Sequence, residues 1–110
     1  MLSVKNNNIK LTRGDTAYLT VPIVDSITGN EYKVGENETL TLSVRKNANA
    51  KEYLMQKQIK GGNVFKILPS DTKNLRYGVY VYDVQLDVGE EDIFTVITAS
   101  NFEISTEITT

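Results

Sequence analysis

Residues 68–88, LPSDTKNLRYGVYVYDVQLDV, join a compact polar turn to a long stretch of alternating character. In an extended strand successive side chains face opposite ways. Tyr80, Tyr82, Val84, Leu86 and Val88 therefore share one face, while Val79, Val81, Asp83, Gln85 and Asp87 share the other. The first face is apolar throughout, and the second turns polar halfway along. That is the pattern of a central strand in a β-sandwich, buried on one side and partly covered on the other.

The rest of the chain repeats this extended character in seven or eight strand-like segments, with no long amphipathic helix between them. Ile9 and Leu11 open the series, and a turn at 12–16 follows in which Gly14 supplies a positive φ. Over 17–24, Leu19, Val21 and Ile23 alternate with Tyr18, Thr20 and Pro22; Pro22 lacks an N–H, so this strand belongs at an edge or carries a bulge. Residues 25–38 read as a loop around a short extended piece at Tyr32 and Val34. Leu40, Leu42 and Val44 alternate with Thr39, Thr41, Ser43 and Arg45, a strand with β-branched threonines on its outer face. Tyr53, Met55 and Ile59 are read as a strand, although Ala48, Ala50, Glu52 and Leu54 also suit a helical turn. Gly61 and Gly62 between apolar runs predict a hairpin whose return strand is 64–68. Pro69 stops that strand, and Ser70, Asp71 and Thr72 each suit the cap of one helical turn ending near Leu75. After the long strand, Gly89, Glu90, Glu91 and Asp92 form a polar turn, and 93–99 and 102–108 give two last strands. In the second of these, Phe102, Ile104, Thr106 and Ile108 oppose Glu103, Ser105 and Glu107.

No repeat or linker divides the chain, so residues 1–110 form one domain. The expected fold is all-β: an antiparallel immunoglobulin-like β-sandwich of seven to eight strands. Tyr80, following a Leu and a Gly at the start of the late strand, matches the tyrosine corner of such sandwiches, in which a phenol bonds back to the preceding loop. The plain alternative is a core ring whose hydroxyl reaches the surface.

Composition narrows the chemistry. With no cysteine and no histidine, the chain lacks thiolate nucleophiles, disulfides, the usual structural zinc ligands and imidazole acid–base groups. A formal charge of −2, with Lys and Arg in no stripe, gives no positive field for a phosphate backbone, so nucleic acid is not an expected partner. No run approaches the ~20 apolar residues of a membrane helix, and the first ten residues lack the apolar centre of a signal peptide. Synthesis and folding in the cytoplasm are the expectation.

Candidate sites are few, and each has a structural reading beside the functional one. Arg13, Gly14 and Asp15 spell a tripeptide that adhesion receptors recognise, but the turn chemistry of Gly14 and Asp15 already explains them, and the turn is the favoured reading. Asp87, Glu90, Glu91 and Asp92 present oxygens at one turn, without the ligand alternation of a calcium loop; a solvated hairpin tip is the ordinary reading. Asp83, among apolar neighbours, is the one carboxylate placed for a raised pKa, or else it bonds a hydroxyl where the strand emerges. A sugar-stacking platform needs outward rings; Tyr80 and Tyr82 share the core face, whereas Tyr18, Tyr32, Tyr53 and Tyr77 lie on weaker strands or loops. Arg13, Asp15, Tyr18, Tyr32 and Tyr53 are thus the candidate partner contacts. No catalytic, cofactor or metal residue is assigned. The outer strand at 17–24 is also a candidate for adding to another subunit's sheet, with Pro22 limiting uncontrolled pairing.

Arg13-Gly14-Asp15-Thr16, then Leu68-Pro69-Ser70-Asp71-Thr72, Leu75, the series 78–86 (GVYVYDVQL) and Thr95-Val96-Ile97 together resemble a family. It comprises small β-sandwich proteins from tail and baseplate gene regions of phages and prophages of Gram-positive bacteria, akin to the N-terminal domain of upper baseplate proteins. The resemblance spans nearly the whole chain and brings no catalytic residues. It implies a non-enzymatic structural or assembly protein that meets other phage structural proteins or copies of itself, in the host cytoplasm during assembly and then in the virion. The sequence stops at Thr110, without the longer C-terminal region of multidomain baseplate proteins, so receptor binding is not part of the expectation. A carbohydrate- or surface-binding module is the alternative, for which outward tyrosines must line a groove.

Overall fold

The computed structural model describes residues 2–3 and 8–106, with side chains described from Asn8 onward. Along these residues run β1 (Leu2–Ser3), β2 (Ile9–Thr12), β3 (Ala17–Thr20), β4 (Ile23–Asp25), β5 (Glu31–Tyr32), β6 (Thr39–Arg45), β7 (Met55–Lys60), β8 (Val64–Ile67), one helical turn α1 (Pro69–Thr72), β9 (Gly78–Gly89) and β10 (Asp92–Ser105). Strand makes up 57% and helix 4% of the described residues, so the fold is all-β.

A curled five-stranded sheet has the order β2-β10-β9-β6-β7; β3 pairs with β8, and β1, β4 and β5 form a third small sheet. The expected long strand is β9, paired on both sides. Its Tyr82, Val84 and Leu86 are buried, as are Leu40, Leu42 and Val44 of β6 beside it. Val21, between β3 and β4, and Ile23, Phe65 and Ile67 of the smaller sheets complete the same core with Phe102 and Ile104 of β10.

Local chemistry places several elements as expected and shifts the bounds of two others, the strand at 17–24 and the one read from Tyr53. Pro69 opens α1, and the Asp71 carboxylate accepts the Leu68 N–H at 2.7 Å, capping the turn. The Tyr80 hydroxyl donates to the Arg76 carbonyl at 2.7 Å, the back-bond of a tyrosine corner. Pro22 divides the expected strand at 17–24 into β3 and β4 because it has no N–H to continue a ladder. β7 begins at Met55, leaving Tyr53 outside it and exposed.

Four expectations are corrected. The sheet is not wholly antiparallel: β2 runs parallel to β10, with Ile9 opposite Phe102 and Leu11 opposite Ile104. The strands number ten among the described residues, against seven to eight: β1 and the short piece β5 add two, and the division at Pro22 offsets the merging of the last two strands. Gly61 and Gly62 do not make a hairpin. Both take positive φ (76° and 77°), but the chain there crosses between sheets, since β7 pairs with β6 and β8 with β3. Asn63 fixes the crossing: its amide donates to the Val21 and Tyr32 carbonyls and accepts the Val34 N–H.

Finally, the two expected closing strands are one. β10 slips against β9 between Thr95 and Ile97 and again between Ile97 and Ser100, one extra residue each time. Such bulges turn consecutive residues toward one side, which is how Val96 and Ile97 are both buried. Glu107 and Ile108 of the expected last strand lie outside the described residues.

At the β9–β10 turn, Asp92 pairs with Gly89, leaving a two-residue loop in which Glu90 and Glu91 have φ of 53° and 66°. Mirror-image turns of this kind favour Asn-Gly, because a Cβ crowds the left-handed region. Glu91→Gly is therefore expected to stabilise the protein by about 0.5–1 kcal/mol after the entropy lost by glycine, read as a raised urea midpoint. A lowered midpoint would show that the Glu91 side chain is held by something stronger than the strain.

Candidate functional site

The candidate contact residues do not converge. Arg13 lies over the Tyr77 ring, 4.2 Å from its centroid, and donates to the Tyr77 hydroxyl at 2.8 Å. The Gly14 N–H donates to the hydroxyl of fully buried Thr72 at 2.9 Å, with Gly14 at φ 84°. Asp15 closes the turn through its N–H to the Thr12 carbonyl and is exposed. The Arg13-Gly14-Asp15 turn is thus docked on α1 and Tyr77, and its arginine is engaged rather than presented.

Tyr18 on β3 is 66% exposed, with the Lys66 ammonium 5.8 Å from its ring. Tyr53 precedes β7 and has the Arg45 guanidinium 5.7 Å from its ring. Tyr18 belongs to the β3–β8 sheet, whereas Tyr53 stands in the segment before β7. Tyr32 is half-buried and donates its hydroxyl to the Glu38 carboxylate at 2.7 Å, while that carboxylate also accepts the Gly35 N–H. Burial first, then the hydrogen bond and charge of Glu38, push the Tyr32 phenol up to about 12.

Asp83 is paired rather than poised. Its carboxylate meets the Arg45 guanidinium at 2.5 Å on the outer face of the five-stranded sheet. Beside it Gln56 donates to the Ser43 hydroxyl and Gln58 to the Thr41 hydroxyl, so this face is stitched by cross-strand polar pairs. A second ion pair, Lys57 with Asp71 at 2.6 Å, ties β7 to α1. Among the described residues no three acidic side chains gather to hold a metal ion, the 87–92 turn included.

Hollows among the described residues include two that bear on function. One, of about 160 Å³, runs inward between the sheets past Leu19, Val21, Phe65, Tyr82 and Ile97. The other, about 310 Å³ and shallower, is bounded by Lys46, Leu54, Asn74, Leu75, Arg76 and Tyr80. Sequence reading passed over the second, because its walls come from three separate loops and strand ends.

Tyr82 reports on the core beneath. It is 2% exposed, and burial pushes its phenol up to about 12. A raised folded-state pKa favours the neutral phenol, so this contribution is complete below pH ~10 and is lost as pH rises toward ~12. The urea midpoint of the wild type should fall across that window, and Tyr82→Phe should flatten part of the fall. An identical alkaline limb in the variant would remove Tyr82 as its source.

What the geometry defines is an all-β protein with one shared core, polar residues paired across strands, and large apolar side chains exposed at both ends of β9. Comparison with protein-family models, with curated proteins and with solved structures returns no match for the chain.

Proposed function

We propose that this chain is a non-enzymatic structural or assembly protein of a phage or prophage, a tail or baseplate component with an immunoglobulin-like sandwich fold that works through protein–protein contacts. The observation that carries the reading is the fit of the resembling segments to one corner of the fold. Asp71 caps α1, the Arg13-Gly14-Asp15 turn seats on Thr72, Tyr80 bonds back to Arg76, and Tyr82 enters the core. These residues hold one another, as a family signature of a scaffold does.

The pairing pattern supports the sandwich. β3 pairs with β8 as the second and fifth strands of such a fold do, and β6, β9 and β10 lie together in the facing sheet with β7 outside them. Exposed Tyr18, Tyr53, Tyr77, Val79, Ile93 and Phe94 supply apolar surface for partners. The protein is made in the host cytoplasm and carried into the virion.

The test is direct. Particles purified after induction of a host carrying the gene are digested and measured by quantitative mass spectrometry. The reading requires this chain at a fixed whole-number ratio to tail proteins; particles complete without it overturn the assignment.

A further inference from the structure

Charge is divided along the chain far more sharply than the net value of −2 shows. Residues 1–76 hold all 12 cations and 7 of the 14 acids, whereas 77–110 hold the other 7 acids and no Lys or Arg, a split of +5 against −7. β9 begins where the basic part stops, and its 12 residues span roughly 36 Å, most of the 47 Å length of the molecule.

The two ends of β9 are unlike. At its start lies the 310 Å³ groove, with Leu54 (47% exposed), Leu75 and Tyr80 as apolar walls and Lys46 and Arg76 at its margin. Neither cation is in an ion pair among the described residues. At the far end, β6 stops pairing at Asp87, so the β9–β10 tip projects beyond the sheet. Asp87, Glu90, Glu91 and Asp92 are exposed there, beside Ile93 at 58%. The cation on that row, Lys60, stands two strands away.

We propose that the chain self-associates head to tail, the acidic β9–β10 tip of one copy entering the groove of the next, with Glu90 and Glu91 against Lys46 and Arg76 and Ile93 against Leu54 and Leu75. The two surfaces match in charge and in apolar content, and they sit at opposite ends of one strand. A copy that offers its tip therefore keeps its own groove open for another. Such a heterologous contact repeats, closing as a ring where the rotation allows and otherwise extending as a filament. A small interface of this kind binds weakly copy by copy and gains from repetition. The inference rests on the assembly reading above only in that contacts are the protein's work, and it is tested on the purified chain without any particle.

Sedimentation velocity of the full chain from about 1 μM to about 1 mM should show mass rising with concentration at low salt, and falling back in about 1 M salt where screening is short-ranged. Lys46→Glu with Arg76→Glu, and separately Glu90→Lys with Glu91→Lys, should each weaken association at least about tenfold. Mixing the two reversed proteins should restore it, since each then offers a tip that suits the other's groove. Should either reversal disturb folding by circular dichroism, Glu90→Gln with Glu91→Gln keeps the turn and removes the charge, and must weaken association as well. A monomer throughout the range, association unmoved by these changes, or reversed proteins that stay apart when mixed would each overturn the head-to-tail contact. Presence or absence in particles bears on the assembly role and leaves this outcome separate.

Discussion

Tyr82→Ala is expected to lower the free energy of unfolding by roughly 3–5 kcal/mol, a large share of the ~5–15 kcal/mol that holds a domain of this size together. The ring is 2% exposed and meets Phe102 edge-on, with centroids 5.9 Å apart at 66°. It stands opposite Val44 of β6 and Ser100 of β10, so truncation opens a void in the middle of the five-stranded sheet's inner face. Neighbours on paired strands cannot collapse into that space without breaking ladder hydrogen bonds, which places the cost at the high end for its chemistry. Tyr82→Phe keeps the ring and should cost far less, separating the volume term from the hydroxyl. Urea denaturation with an unchanged slope reads both. A loss under about 1 kcal/mol for the alanine variant would mean that the ring does not fill the core.

The position of Tyr82 was legible because the signal is local. Period-two alternation over β9 sets its faces whatever lies beside it, and the same holds for β6. The Tyr80 back-bond reaches only four residues, to Arg76, so Leu-x-x-Gly-x-Tyr spacing carries it. What the sequence hid is non-local. The parallel pair of β2 with β10 joins residues more than 90 positions apart, and nothing in Ile9–Thr12 names its partner. Two glycines at positive φ suit a hairpin or a crossing equally. The choice at Gly61 and Gly62 is made by Asn63, whose amide binds Val21, Tyr32 and Val34 from distant segments. The bulges in β10 break alternation at 95–100, so one bent strand resembled two.

The contact residues show the same divide. Exposure of Tyr18 and Tyr53 follows from weak alternation around them, and both are open. Arg13 and Tyr32 looked equally available in one dimension, yet each is held, the first by Tyr77 across 64 positions and the second by Glu38. Lys57 is instructive for the opposite reason. Alternation places it between Met55 and Ile59 on the inward side of β7, an improbable site for an ammonium until the fold brings Asp71 to within 2.6 Å.

The Arg45–Asp83 pair gives the second large effect, and it separates a structural carboxylate from a chemical one. Asp83 lies diagonally from Arg45 across the β6–β9 ladder, where the two side chains are 18% and 25% exposed. The Arg45 Nε is buried with no hydrogen-bond partner, so the guanidinium already depends on Asp83 for much of its compensation. Asp83→Ala leaves that charge half-buried and unpaired. Fully buried pairs lose ~3–5 kcal/mol when one partner goes; with water reaching a quarter of Arg45, about 2–3 kcal/mol is expected here. Replacing both, Arg45→Leu with Asp83→Leu, removes the orphaned charge and should return stability to within about 1 kcal/mol of wild type. Denaturant midpoints for the two singles and the double give the coupling directly. A single-variant loss below about 1 kcal/mol would class the contact with screened surface pairs, and a double variant as unstable as Asp83→Ala would mean that the two polar side chains hold the sheet through something other than each other.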